Sequence, residues 1–179
     1  MRTAASYSAM VDKIFGQRAP AILAEYPAEP SPGLAFAAVV TDGIFACPAR
    51  RLNRLLAPHV AVHAYEFADP ETATGLPPLP GVMRLGAYHA GEIAYVMQSR
   101  WVLADPASFT PPQRALSDTM QAYWTNFARA GDPNRPGTPP WPVLRGTADG
   151  VLSLAPDRIG PAEAFAARHR CTFWEKLGY

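Results

Sequence analysis

"VAVHAYEFA", residues 60–68, is the stretch whose reading decides the fold. Branched and aromatic residues dominate it, charge is nearly absent, and polar positions alternate with apolar ones only in places. That pattern predicts a buried strand of a mostly parallel sheet. A parallel strand needs a parallel neighbour, and the rest of the chain offers no second run of comparable quality. The expectation is therefore an α/β layout with an incomplete sheet and mostly short helices.

Toward the N-terminus the sequence reads as helices. Residues 6–16 put Tyr7, Met10, Val11, Ile14 and Phe15 on one face, with Gly16 as the stop. Residues 20–26 form a second short helix opened by Pro20. A third runs from Ser31 and Pro32 through Phe36 and Val40 toward Phe45. A fourth starts at Pro48, spaces Leu52, Leu55 and Leu56 helically, and ends at Pro58. The longest apolar run, "GLAFAAVV", is too short to span a bilayer. The opening "MRTAASYSAMVDKIFG" lacks the apolar core of a secretion signal.

Toward the C-terminus, the proline-rich residues 70–80 read as a loop. The best-signed helix covers residues 111–129: Thr110 caps it, Pro111 suits its first turn, Gln113 completes a capping box, and Gly131 stops it. Leu116, Met120, Tyr123, Trp124 and Phe127 fall on one face, which reads as core. "WPVL" and "GVLSL", separated by "RGTADG", predict a small edge hairpin. "RHRCTFWEKLG" closes the chain as a short helix.

Composition bounds the function. With 179 residues, 49% hydrophobic and 17% charged, the chain suits a soluble globular protein. A net charge of +1 gives no electrostatic case for nucleic acid or an anionic membrane surface. Twenty prolines keep the elements short.

"LGAYHAGEIAYV", residues 85–96, follows the strand and its loop, so His89 falls at the strand's carboxyl end. Open α/β sheets place their functional groups there. His89 fits a general base; it equally fits a histidine filling a tight turn between Gly86 and Gly91. Tyr88 and Tyr95 flank the loop as site-lining or core residues. A metal site is not supported, because His89 and Glu92 form only a pair. His59 and His63 would stand ~13 Å apart along a strand. No cofactor is expected. Cys47 and Cys171, read by themselves in a chain without a signal peptide, are free buried thiols, too far apart in sequence for a zinc ribbon or redox pair.

"TDGIFACP", "LGAYHAGEIAYV", "YWTNFARAGDPN", "PPWP" and "CTFW" occur in the order and approximate spacing of the type-B carboxylesterase family, the cholinesterase and para-nitrobenzyl esterase group. From about residue 41 onward the chain resembles that family's C-terminal third. The resemblance implies that residues 1–179 form a single partial domain, the C-terminal part of an α/β-hydrolase fold. It implies that His89 is the histidine of a Ser-Glu/Asp-His triad, where members typically read GxxHGxE and this chain has Ala90 after the histidine. It implies that Cys47 pairs with Cys171 as a disulfide. It also makes Asp42 similar to an acidic residue that sits behind the family's active site.

The family's GxSxG nucleophile elbow does not occur in these residues, nor does its HGGG-type oxyanion loop or a counterpart of the triad acid. The resemblance therefore implies an ester hydrolase fragment, inactive alone, that acts on a small-molecule ester once the missing N-terminal half completes the sheet. No nucleic-acid or membrane partner is expected. The alternative is a non-catalytic cholinesterase-like interaction module. A Cys47–Cys171 disulfide would suit an extracellular or periplasmic location; nothing else in the sequence assigns a compartment.

Overall fold

The computed structural model describes residues 3–72, 86–100, 104–145 and 149–178. Most of the proline-rich loop and part of "RGTADG" lie outside those residues. In chain order the elements are α1 (Ala4–Phe15), α2 (Ala19–Glu25), α3 (Pro32–Val40), α4 (Cys47–Leu56), β1 (Ala64–Phe67), α5 (Ile93–Met97), α6 (Pro111–Ala130), β2 (Val151–Leu154), β3 (Ile159–Pro161), α7 (Phe165–Arg168) and α8 (Cys171–Lys176). They form two compact units, one from residues 1–59 with 164–179 and one from residues 60–163.

The first unit is helical. α1 begins earlier than its apolar spacing suggests, because Thr3 caps it through a reciprocal box with Ser6. Tyr7, Val11 and Phe15 are its buried face, while Met10 and Ile14 are exposed. The two helices expected over residues 31–58 are one continuous stretch. A π-helical segment, Thr41–Ala46, joins α3 to α4, and the Cys47 N–H reaches back to the Asp42 carbonyl. Proline has no N–H to offer a regular α ladder; the widened turn lets the helix run on past Pro48. The same turn carries Gly43 onto the Trp174 indole, where a Cβ would lie 2.3 Å from Cζ-side ring carbon Cη2.

This continuity corrects the span estimate made from "GLAFAAVV". Residues Pro32–Leu56 form a 25-residue helix, long and apolar enough by length and composition to cross a membrane. The core helix of a folded protein meets the same description. Here Val39, Asp42, Gly43 and Cys47 face inward. Leu34, Ile44, Phe45, Leu52, Leu55 and Leu56 are exposed.

Cys47 and Cys171 are joined as a disulfide across 124 residues of chain. The free-thiol reading is thereby corrected. The spacing could not reveal the pair, because it forms only when α4 and α8 pack side by side. Beside it Arg50 Nη1 meets Glu175 Oε1 at 2.7 Å.

The second unit holds the sheet, in the order β1-β2-β3. β1 pairs parallel with β2, Ala64 opposite Val151 and Phe67 opposite Leu154. β2 turns back antiparallel onto β3, Leu152 opposite Pro161. Two expectations change. The parallel neighbour of β1 is "VLSL", for which the sequence predicts an edge hairpin with "WPVL"; its hairpin partner is instead Ile159–Pro161. Furthermore, β1 is only four residues long and half-buried, with Tyr65 39% exposed. Among the described residues β1 has one strand neighbour, β2.

α6 matches its sequence signals. Thr110 and Gln113 form the capping box, and Gly131 ends the helix in the left-handed region at φ 72°. Leu116, Met120 and Tyr123 join Leu152 and Leu154 in the core, whereas Phe127 is half-exposed.

The disulfide closes a loop that includes the whole second unit, so it restrains the unfolded chain strongly. Replacing both cysteines by alanine is expected to lower stability by about 2–5 kcal/mol, read as a lower urea midpoint with an intact cooperative transition.

Candidate active-site turn and the carboxylate beneath it

β1 ends at Phe67, and Ala68 N–H still bonds the Leu154 carbonyl. Two residues past the strand the chain buries a carboxylate. Asp69 is 1% exposed. Its Oδ1 accepts the Glu71 N–H at 2.9 Å, and its backbone carbonyl accepts the Thr72 hydroxyl at 2.7 Å. Its Oδ2 accepts the Tyr95 hydroxyl and the Gln113 amide, the latter at 2.8 Å. Gln113 is already fixed by its capping role, and its amide also reaches the Glu71 carbonyl at 2.9 Å. A buried carboxylate is tolerated only when hydrogen bonds replace its lost water, and here three donors meet the carboxylate while a fourth meets the backbone carbonyl.

His89 lies in the turn that leads into α5. The Gly91 N–H closes the turn on the Tyr88 carbonyl at 2.8 Å, and Ile93 N–H bonds the Ala90 carbonyl as α5 begins. Gly91 is pressed onto the end of β1: an added Cβ would sit 3.1 Å from Thr72 Cγ2 and 3.3 Å from Phe67 Cε1. Thr72 before the turn and Tyr95 after it are both tied to Asp69. Tyr95, on the helix that follows the turn, thus ties it to Asp69, and His89 is exposed.

Tyr95 is fully buried, between Phe67 and Phe109, with ring centroids 5.1 and 4.3 Å away. It belongs to the core rather than to a site lining. Burial first, then the hydrogen bond to the Asp69 carboxylate, raises its pKa far above the usual phenol range, so it stays a donor. Tyr88 is half-buried; burial and the nearby Glu92 charge raise its pKa too. Among the described residues no group of three His, Cys, Asp or Glu side chains could hold a metal ion.

Ala90 has φ 69°. A Cβ makes that region costly, which gives a physical reason for glycine after the histidine in this motif.

Asp42, the other singled-out acid, is committed within the helical unit. Its Oδ1 lies 2.6 Å from His169 Nδ1, and its Oδ2 accepts the Tyr26 hydroxyl at 2.8 Å. The Trp174 indole N–H donates to that same hydroxyl at 2.8 Å, and the Arg170 guanidinium lies 4.5 Å over the Tyr26 ring. The set fastens α7 and α8 to the π-segment.

Sequence reasoning missed Asp69. Its signal was present, an acid directly after a strand and before Pro70, but such residues usually open turns at the surface. Only the arrival of Tyr95 and Gln113 from distant elements makes it a buried hub.

A strand leading to a histidine turn, a capped late helix and a disulfide-linked pair of helices make up an arrangement of helices with a small three-stranded sheet. Residues 25–174 match the model of the carboxylesterase family, and the chain belongs to that family. It is 36% identical over 109 residues to an acylcarnitine hydrolase of Mus musculus, covering 61% of this chain and 19% of that protein. It is 31% identical over 143 residues to a cocaine esterase of Homo sapiens, covering 79% of this chain and 24% of that protein. A bile salt-activated lipase of Mus musculus is 37% identical over 102 residues, 55% of this chain and 16% of that protein. The chain thus spans no more than about a quarter of these relatives.

Two substitutions test the turn. Ala90→Gly should stabilise the unit by roughly 0.5–1 kcal/mol by releasing the left-handed strain, net of the entropy glycine adds to the unfolded chain. Tyr95→Phe should cost about 1–3 kcal/mol by stripping a donor from a buried carboxylate. Urea denaturation measures both, and the Tyr95 variant should also speed amide exchange in α5.

Proposed function

We propose that this chain is the C-terminal part of a carboxylic ester hydrolase, and that His89 is its general base and acid. The observation that carries the reading is the exposed His89 turn seated on the carboxyl end of β1. In the complete enzyme His89 takes the proton from a serine hydroxyl as the oxygen attacks an ester carbonyl. It returns that proton to the departing alcohol, then activates water to release the acid. Asp69 serves as a positioning residue: it holds the turn, while the triad acid comes from outside these residues.

The serine, the acid and the oxyanion donors belong to an N-terminal part of the same domain. Two features support that view. Among the described residues β1 is paired on one side only, and a further parallel strand would pair the other. The helix Pro32–Leu56 presents Ile44, Phe45, Leu52, Leu55 and Leu56 outward, an apolar surface that suits coverage by more of the fold. The substrate is a small-molecule ester. The 179 residues alone hydrolyse no ester at a useful rate, since losing the serine of a triad costs on the order of 10⁶ in kcat.

Two measurements check this. The purified 179-residue chain should cleave a para-nitrophenyl ester no faster than its His89→Ala variant. In a longer form carrying the serine region, His89→Ala should lower kcat by about 10⁴–10⁶ and abolish labelling by a fluorophosphonate. Undiminished turnover and labelling in that variant would remove His89 from the triad and favour the non-catalytic interaction module.

A further inference from the structure

α6 buries two polar side chains one turn apart, Gln113 and Ser117. Gln113 is accounted for by the cap of α6 and by the Asp69 carboxylate. Ser117 is fully buried, and ester hydrolysis by His89 makes no use of its hydroxyl. Its Oγ donates to the Tyr95 carbonyl at 2.7 Å, accepts the Gln98 amide at 3.0 Å and accepts the Gln121 amide at 3.2 Å.

Two of these contacts close the end of α5. That helix has five residues, too few to hold its shape by its own ladder. It grows out of the histidine turn: the Ile93 N–H bonds the Ala90 carbonyl, and the Tyr95 and Val96 N–H groups bond the Glu92 carbonyl. It ends at Gln98, which is left-handed at φ 48°. A carbonyl in the last turn of a helix has no N–H of its own helix to meet, and a buried one needs another donor. The Tyr95 carbonyl is in that position, and the Ser117 hydroxyl is the donor. Tyr95 is therefore held twice, its hydroxyl on Asp69 and its carbonyl on Ser117. Both holds lead to α6, the first through Gln113 and the second directly.

We propose that Ser117 is a positioning residue for His89: its hydroxyl fixes the short helix that carries the histidine turn onto the long, well-capped α6. The catalytic consequence rests on the ester-hydrolysis reading, whereas the placement of the turn does not. Without that hydroxyl the Tyr95 carbonyl loses its donor and the Gln98 amide its acceptor. α5 then moves against α6, and the turn at its start moves with it.

Two arms test this. In the 179-residue chain, Ser117→Ala should speed amide exchange at Gly91 and Ile93 about tenfold, leave exchange in α1 unchanged, and shift the His89 ring-proton resonance. Gln98→Asn, at an exposed position, keeps a side chain that tolerates the left-handed region but is one methylene too short for Ser117. It should give a smaller change in the same direction, and it carries both arms should Ser117→Ala not fold. Thr119→Ala, at a partly exposed site on α6, should change neither reading. In a longer form carrying the serine region, Ser117→Ala should lower kcat about 10- to 100-fold with KM within about twofold, the cost of misplacing a catalytic group by about 1 Å. Ser117→Thr, which keeps the hydroxyl, should recover most of that loss. The proposal is overturned if Gly91, Ile93 and His89 respond no more to Ser117→Ala than to Thr119→Ala. It is equally overturned if kcat is unchanged, if KM alone rises, or if Ser117→Thr recovers nothing. Should His89→Ala leave kcat intact in the longer form, the hydrolase reading falls, and exchange and the His89 resonance still decide whether Ser117 holds the turn.

Discussion

The parallel pairing of β1 with β2 is the constraint on which the second unit depends. Parallel strands cannot be joined by a tight turn; the chain must travel from the end of one back to the start of the other. Everything from residue 68 to residue 150 is therefore one crossover, and it contains the His89 turn, α5 and α6. The crossover must leave β1 at its carboxyl end. The histidine turn stays near that end because Gly91 packs close to Phe67 and Thr72, and Tyr95 bonds Asp69.

Delivery is not the same as fixation, and fixation falls to a buried carboxylate. Asp69 joins the loop after β1, the segment after His89 and the first turn of α6, because its oxygens accept from all three. The apolar packing of Tyr95 and Phe109 keeps water from competing for those bonds. The same residue that satisfies its own charge thereby sets where the turn can sit. The first unit uses a similar device. Asp42 collects His169 and Tyr26 beside the Cys47–Cys171 bond, and the π-segment that aims Asp42 inward also lets Gly43 meet Trp174.

The family motifs acquire separate physical jobs in this arrangement. "HAGE" makes the turn, "GDPN" builds a bracket for the tryptophan of "PPWP", and "TDGIFACP" together with "CTFW" supplies the acid, the cysteines and the indole of the helical unit. Ala90 shows the motif under strain: its Cβ stands where the backbone favours glycine.

Local signals determined what local energetics controls. The capping box at Thr110 and Gln113, the stop at Gly131, the Tyr7, Val11 and Phe15 part of the α1 face and the residues of the family motifs were legible, because each depends on neighbours within a turn or two of chain; Met10 and Ile14, counted on that face, are exposed. The tertiary structure alone decided the rest. "VLSL" became the partner of β1 because pairing joins residues far apart in sequence, and its short alternation did not say with whom. The break expected before Pro48 is absent because a π-helical segment, Thr41–Ala46, carries the chain into α4, whose first turn tolerates a proline. Cys47 met Cys171, and Asp69 met Tyr95 and Gln113, only once distant helices packed. No spacing rule encodes such meetings, since burial makes those bonds strong and burial exists only in the folded state.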